Sequence, residues 1–113
     1  MRAVGDFLAL KAQGRVLRGA HCLVVALARP GSPRKVAFVA SRRGVGGAVQ
    51  RNRARRRLRE IVRRRWSRMA AQGVWMMFVA FRSALTASHE ELVRDVEALL
   101  ARASAAPPRT AEG

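Results

Sequence analysis

Residues 41–60 read Ser41-Arg42-Arg43-Gly44-Val45-Gly46-Gly47-Ala48-Val49-Gln50-Arg51-Asn52-Arg53-Ala54-Arg55-Arg56-Arg57-Leu58-Arg59-Glu60. Three kinds of chain meet here. Just upstream, Val36-Ala37-Phe38-Val39-Ala40-Ser41 is a β-rich apolar run that ends at Ser41. Gly44, Gly46 and Gly47 then form a flexible connection. From about Ala48 to Ala71, the residues Ala54, Leu58, Ile61, Val62, Trp66 and Met69 recur at three- and four-residue steps. That spacing predicts a long helix with one buried face, and Gly73 supplies its stop.

Working outward, Cys22-Leu23-Val24-Val25-Ala26-Leu27 is apolar without clean alternation, the mark of a strand buried on both faces. It belongs to a strand region over 16–28 in which Gly19 marks a bend or bulge. Pro30-Gly31-Ser32-Pro33 has turn chemistry, so the strands on either side of it are candidates for a hairpin. Val74 to Phe81 reads as another strand with bulk on both faces. Ser88-His89-Glu90-Glu91 is a capping box that opens a helix over 88–103, with Leu92, Val96, Leu99 and Leu100 as its buried stripe. Val4, Phe7, Leu8 and Leu10 give roughly helical spacing over 1–13, ended by Gly14. The order helix, strands, helix, strand, helix describes an α/β sandwich, an α+β arrangement of one sheet with helices packed on it. One domain over 1–103 is expected, followed by a disordered tail over 104–113 that contains Pro107-Pro108.

The charge is concentrated in the long helix. Between Arg42 and Arg68 there are 12 Arg and a single acid, Glu60. At about 100° per residue, Arg53, Arg56, Arg57, Arg59, Arg63 and Arg64 fall away from the apolar face, while Arg51 and Arg55 fall nearer its edge. Like charges four residues apart oppose the helix by a few tenths of a kcal/mol per pair. With one acid nearby, relief has to come from outside, and a phosphate backbone supplies it. The preceding glycines let backbone approach phosphates closely, and a helix start favours anions. Charge runs are usually solvated faces, but this density and the near absence of acids favour nucleic acid. Taken alone, the arginines specify nucleic acid and nothing finer.

The whole chain agrees with that reading. It has 113 residues, enough for one core, and a formal net charge of +16 from 23 Lys plus Arg against 7 acids. A compact chain so charged repels itself unless a polyanion neutralises it; nucleic acid is the commonest such partner and anionic membrane the second. The bases are 21 Arg and 2 Lys, a preference that GC-rich coding is sufficient to explain. The lone Cys22 excludes an internal disulfide frame and a zinc cluster, and fits a reducing cytoplasm. The longest apolar stretches, about 20–28 and 74–81, fall well short of the roughly 20 residues of a membrane span.

Residues 41–60 as a whole resemble the ribonuclease P protein family. The shared pattern is a strand end, two basic residues, a short Gly/Ala/Val loop, Arg-Asn-Arg, a basic helix and Arg-Glu. Asp6-Phe7 with Gly14 resembles the family's N-terminal helix, and residues 86–100 resemble its closing Glu-Glu-Leu helix. The resemblance covers roughly 6–103. It implies a ribosomal-protein-like fold with a left-handed βαβ crossover around the basic helix. It implies a cytoplasmic protein subunit of an endoribonuclease that matures the 5′ ends of precursor tRNA. A catalytic RNA performs the hydrolysis with Mg2+, and the protein itself holds no metal, no small-molecule ligand and no catalytic residue. Carried over, Arg42, Arg43, Arg51, Asn52, Arg53, Arg55, Arg56, Arg57 and Arg59 are RNA contacts. Phe7 and Lys11 face the precursor-tRNA leader, Phe7 by stacking. This chain departs from the family where Lys11, Cys22 and Val25 stand in place of frequent aromatics, and it has no Tyr. Leader binding then rests more on charge.

Other residues invite functional readings with less support. His21 and His89 have no companion ligands nearby in sequence, and Cys22 fits a small core position. Trp66 and Trp75 suit packing between helix and sheet. Glu90, Glu91, Asp95 and Glu97 suit the start of a helix dipole rather than a catalytic pair. Three rival readings remain open at this point: a structural RNA-binding protein such as a ribosomal one, a membrane-surface protein, and a nuclease acting without RNA.

Overall fold

A computed structural model of the chain describes residues 14–28, 35–65, 74–105 and 109–110. Strands β1 (Arg15–Arg18), β2 (Cys22–Ala28), β3 (Lys35–Val39), β4 (Val74–Ala80) and β5 (Arg109–Thr110) form one sheet. Helix α1 (Ala48–Arg63) lies in sequence between β3 and β4, and α2 (His89–Ala105) follows a short 3-10 turn over Arg82–Leu85. The strand order is β1-β2-β4-β3, with β5 beside the end of β2. β1 with β2 and β2 with β4 are antiparallel, whereas β3 and β4 run parallel and are joined through α1. This is the predicted sandwich of one mixed sheet and packed helices.

The candidate hairpin between β2 and β3 does not form, because β4 lies between them. The reason is visible in β4 itself. Val-Trp-Met-Met-Phe-Val-Ala carries bulk on both faces, and an edge position would leave one row of its backbone groups unpaired. In the middle both rows are paired and both faces are covered. The hairpin that does form joins β1 to β2 within the single predicted strand region, at the bend expected near Gly19. Helix α2 runs to Ala105, and Arg109–Thr110 pairs in parallel with Leu27–Ala28. Those two residues of β2 lie beyond the reach of β1, whose ladder stops at Arg15 opposite Ala26.

The two faces of the sheet hold separate cores. On one, Cys22, Val24 and Ala26 of β2 and Met76, Phe78 and Ala80 of β4 meet Ala54, Leu58, Ile61 and Val62 of α1 and Leu92, Val96 and Leu99 of α2. On the other, Val25, Leu27, Trp75 and Met77 are buried together. Period-two alternation sends each strand's odd and even positions to opposite sides, so a strand with no polar face is required at the centre. The predicted N-terminal helix over 1–13, and Trp66, Met69 and Gly73, lie outside the described residues.

Polar ties then fix how the helices meet the sheet. Ser88 caps α2: its Oγ accepts from the Glu91 N–H at 3.1 Å and donates to Glu91 Oε1 at 3.3 Å. Arg57, placed by sequence on the solvent side of α1, is instead half-buried. It donates to the carbonyls of Ala84 at 2.6 Å and Ala87 at 2.7 Å, holding the 3-10 turn against α1. Arg65 joins α1 to α2 through Glu97 at 2.9 Å and also donates to the Ile61 carbonyl.

Asp95 performs the longest-range tie. From α2 its carboxylate accepts the N–H groups of Ala20 at 2.7 Å and His21 at 2.9 Å, within the β1–β2 turn. A Cβ at Gly19 would stand 2.6 Å from this carboxylate, so the close approach requires glycine there. The Cys22 thiol, fully buried, points at the same carboxylate at 3.6 Å. Burial first, and then the Asp95 charge and hydrogen bond, push its pKa from 9.0 to about 12.

Well below pH 9.0 the thiol is mostly neutral whether the chain is folded or unfolded. Between 9.0 and about 12 only the unfolded chain ionises, so stability falls with rising pH across that window. A thiol reagent at pH 8 should label Cys22 only in denaturant, because the folded chain buries the sulfur while the unfolded chain exposes a thiol that is partly ionised. Arg57→Ala leaves two carbonyls without their charged donor and should lower stability by about 2 kcal/mol, read by denaturant unfolding.

Candidate nucleic-acid interface

The candidate interface lies at the start and on the outer face of α1. Before the helix, a tight loop is held by the Val45 N–H donating to the Ser41 carbonyl at 2.9 Å and the Gly44 N–H donating to Ser41 Oγ at 2.8 Å. Val45 is buried in the core and anchors this loop from below. Gly46 has φ 133, a conformation that side-chain-bearing residues rarely adopt. Arg42 and Arg43 therefore stand exposed on a loop whose shape is fixed. The helix begins with Gly47 as its N-cap, with no side-chain cap and no acid in the first turn. An uncapped, acid-free helix start leaves N–H groups and positive dipole directed at solvent, the environment an anion prefers.

Along the helix, burial divides the arginines by angle. Asn52, Arg53, Arg56, Arg59, Arg63 and Arg64 are exposed; Arg51 and Arg55 are half-buried at the apolar edge, as their spacing predicts. Arg55 donates to Asn52 Oδ1, so these two side chains present themselves as a unit. The Nε of Arg51 is buried without a hydrogen-bond partner among the described residues. Glu60 is held by Arg63 at 2.8 Å and approached by Arg64 at 3.5 Å. The Arg63 hydrogen bond and charge keep its carboxyl below the usual carboxylate range. This single acid cannot offset the arginines around it.

Of the nine residues assigned to RNA by resemblance, eight lie on this loop and helix with side chains at least partly open to solvent, and none of the eight is tied to a backbone carbonyl among the described residues. Arg57 differs, being engaged with Ala84 and Ala87. Its angular position, about a quarter turn from the centre of the apolar stripe on the flank opposite Arg55, is the signal that distinguishes it. Phe7 and Lys11 lie outside the described residues. Sequence reading passed over Phe38. Its ring stacks on Phe78 with centroids 5.6 Å apart, and the Arg59 guanidinium stands 5.8 Å from its centre.

His21 Nδ1 lies 2.9 Å from Ser83 Oγ, and its Nε2 lies 3.5 Å from Glu91. No group of three or more His, Cys, Asp or Glu side chains is arranged to hold a metal among the described residues. Among them, too, no helix is long and apolar enough to cross a membrane.

The architecture and sequence match known proteins throughout. The family model described as Ribonuclease P matches residues 1–104. The ribonuclease P protein component of Symbiobacterium thermophilum is 42% identical over 98 residues, covering 86% of this chain and 84% of the relative. That of Chloroflexus aurantiacus is 34% identical over 112 residues, covering 99% and 82%. Among solved structures, the RNase P protein of Staphylococcus aureus superposes with a TM-score of 0.78 at 19% identity, covering 91% of this chain and 93% of that one. The Thermotoga maritima RNase P protein gives 0.77 at 22% identity, covering 90% and 94%. On the matched family model and the identity of these relatives over most of their length, this chain belongs to the ribonuclease P protein family.

Proposed function

We propose that the chain is the protein subunit of a bacterial-type ribonuclease P, and that it binds both the catalytic RNA and the 5′ leader of precursor tRNA. The observation that carries this reading is the outer face of α1. There Arg53, Arg56, Arg59, Arg63 and Arg64 are exposed around one acid, next to an acid-free helix start. Arg presents a planar fork of donors to phosphate and stays charged at any working pH. Bringing two RNAs together is opposed by their phosphates. A rigid helix of guanidiniums lowers that repulsion and releases condensed counterions.

In this reading Arg42, Arg43, Arg51, Asn52, Arg53, Arg55, Arg56 and Arg59 contact RNA, and Phe7 with Lys11 serves the leader. Arg57 contributes by holding the turn that positions α1. Hydrolysis belongs to the RNA subunit with its Mg2+, so the chain supplies binding and orientation and no reacting group. Family membership favours this over a ribosomal protein, over a membrane-surface protein and over a nuclease acting alone.

The test is cleavage of a 5′-extended precursor tRNA by a bacterial ribonuclease P RNA at low magnesium. Adding the chain should restore cleavage at the correct junction, and the chain alone should cut nothing. No stimulation would refute the subunit reading. Arg53→Ala and Arg56→Ala should each reduce the slope of log affinity against log salt by roughly 0.7 to 0.9. Unchanged slopes would remove those residues from the interface. Phe7→Ala should weaken binding of precursor tRNA more than mature tRNA. Equal weakening would remove Phe7 from the leader site.

A further inference from the structure

The flank of α1 opposite Arg57 faces β3, and the two enclose a groove in two compartments. Val36, Phe38, Arg59 and Arg63 line one of about 500 Å³ whose walls are mainly carbon. Phe38, Asn52, Arg55, Arg56 and Arg59 line an adjoining one of about 350 Å³ whose walls are mainly polar. Phe38 and Arg59 belong to both. Because its ring is stacked on the fully buried Phe78, Phe38 is a fixed wall rather than a mobile side chain. Arg59 already stands at cation–π range over that ring.

This pairing of an apolar slot with a basic one narrows the ligand. A phosphate alone has no use for the carbon-lined compartment. An apolar peptide gains nothing from guanidiniums that its binding would desolvate. A nucleotide has both parts, a flat base with apolar faces and an anionic phosphate one sugar away. The volumes lie within the range of small-ligand sites. The groove also runs beside the outer edge of β3, which pairs with no strand among the described residues, so a chain can enter and leave along it. The Arg63–Glu60 pair at its rim is solvent-exposed on both sides and yields readily to a phosphate.

We propose that this groove seats one unstacked nucleotide of single-stranded RNA, its base against Phe38 and Val36 and its phosphates among Arg55, Arg56 and Arg59. The seat rests on the RNA-binding reading of α1 and adds to it a place where a base is felt, not only a backbone. It uses neither Phe7 nor Lys11.

The experiment compares a short oligouridine with an abasic ribose-phosphate strand of equal length and charge, both titrated with the full chain at several salt concentrations. The wild-type chain should prefer the base-bearing strand by at least about fivefold, the lower end of base–aromatic stacking. Phe38→Leu keeps apolar volume on Phe78 and should lose most of that preference with an unchanged salt slope. Arg59→Lys keeps charge but not the planar fork and should act likewise. Arg55→Gln combined with Arg56→Gln should lower the slope and retain the preference. A preference that survives both Phe38→Leu and Arg59→Lys, in variants that melt as the wild type does, would overturn the seat while leaving RNA binding intact. Displacement of the strand by uridine 5′-monophosphate at equal nucleotide concentration would make this a mononucleotide site and overturn it too. Absence of salt-dependent binding to either strand would instead refute the RNA-binding reading beneath it.

Discussion

The docking of α1 against the sheet is the contact on which the rest of this molecule depends. The helix gathers like charges that oppose its own formation, and only Glu60 stands among them to offset any of it. What holds it is Ala54, Leu58, Ile61 and Val62, all buried against β2, β4 and α2. Burying such side chains stabilises by about 1.5 to 3 kcal/mol for each large one, several times the like-charge penalty per pair. The core thus holds a charged surface in a shape it would not keep alone. Polar ties sharpen the result: Arg57 and Arg65 are turned inward onto carbonyls and Glu97, while Arg53, Arg56, Arg59, Arg63 and Arg64 stay outside.

A central strand with bulk on both faces makes this docking possible. Because β4 carries Met76 and Phe78 to one side and Trp75 and Met77 to the other, the sheet can support helices on one face and a second core on the other. Its parallel pairing with β3 places the start of α1 next to the end of β3. The glycine loop over 44–47 is then compelled to turn within a few residues. Val45 plugs the core while Arg43, Gly44 and Gly47 stay exposed, and the loop becomes rigid through the Ser41 contacts.

Much of this was legible in the sequence. The capping box at Ser88, the stripe of α1, the apolar centre strand and the division of Arg51 and Arg55 from Arg53 and Arg56 all follow from local spacing. Strand partners did not, because Cys22–Leu27 and Val36–Ser41 look equally able to pair with each other or with Val74–Phe81. Periodicity gives faces and says nothing of neighbours. The role of Arg57 was only half legible: its angle on α1 sets it on the flank of the apolar stripe, but the carbonyls of Ala84 and Ala87 that its donors meet lie nearly thirty residues on. Phe38 was read as strand, and its neighbour Arg59 only as a phosphate contact. The groove between them exists only once β3 and α1 are laid side by side.

The Asp95 carboxylate has one more consequence, for the order of assembly. It closes the β1–β2 turn on residues 75 and 74 positions earlier in the chain. A polypeptide made from its N-terminus emits that turn long before its acceptor exists. β1 and β2 can therefore meet early as a loose hairpin, but Ala20 and His21 are satisfied by water until α2 has been synthesised and has coiled against the sheet. The last long helix is in this sense the clasp of the first hairpin. A nascent chain cut short before Asp95 would hold most of its strands yet lack the native turn, so maturation of that turn waits until α2 has been made.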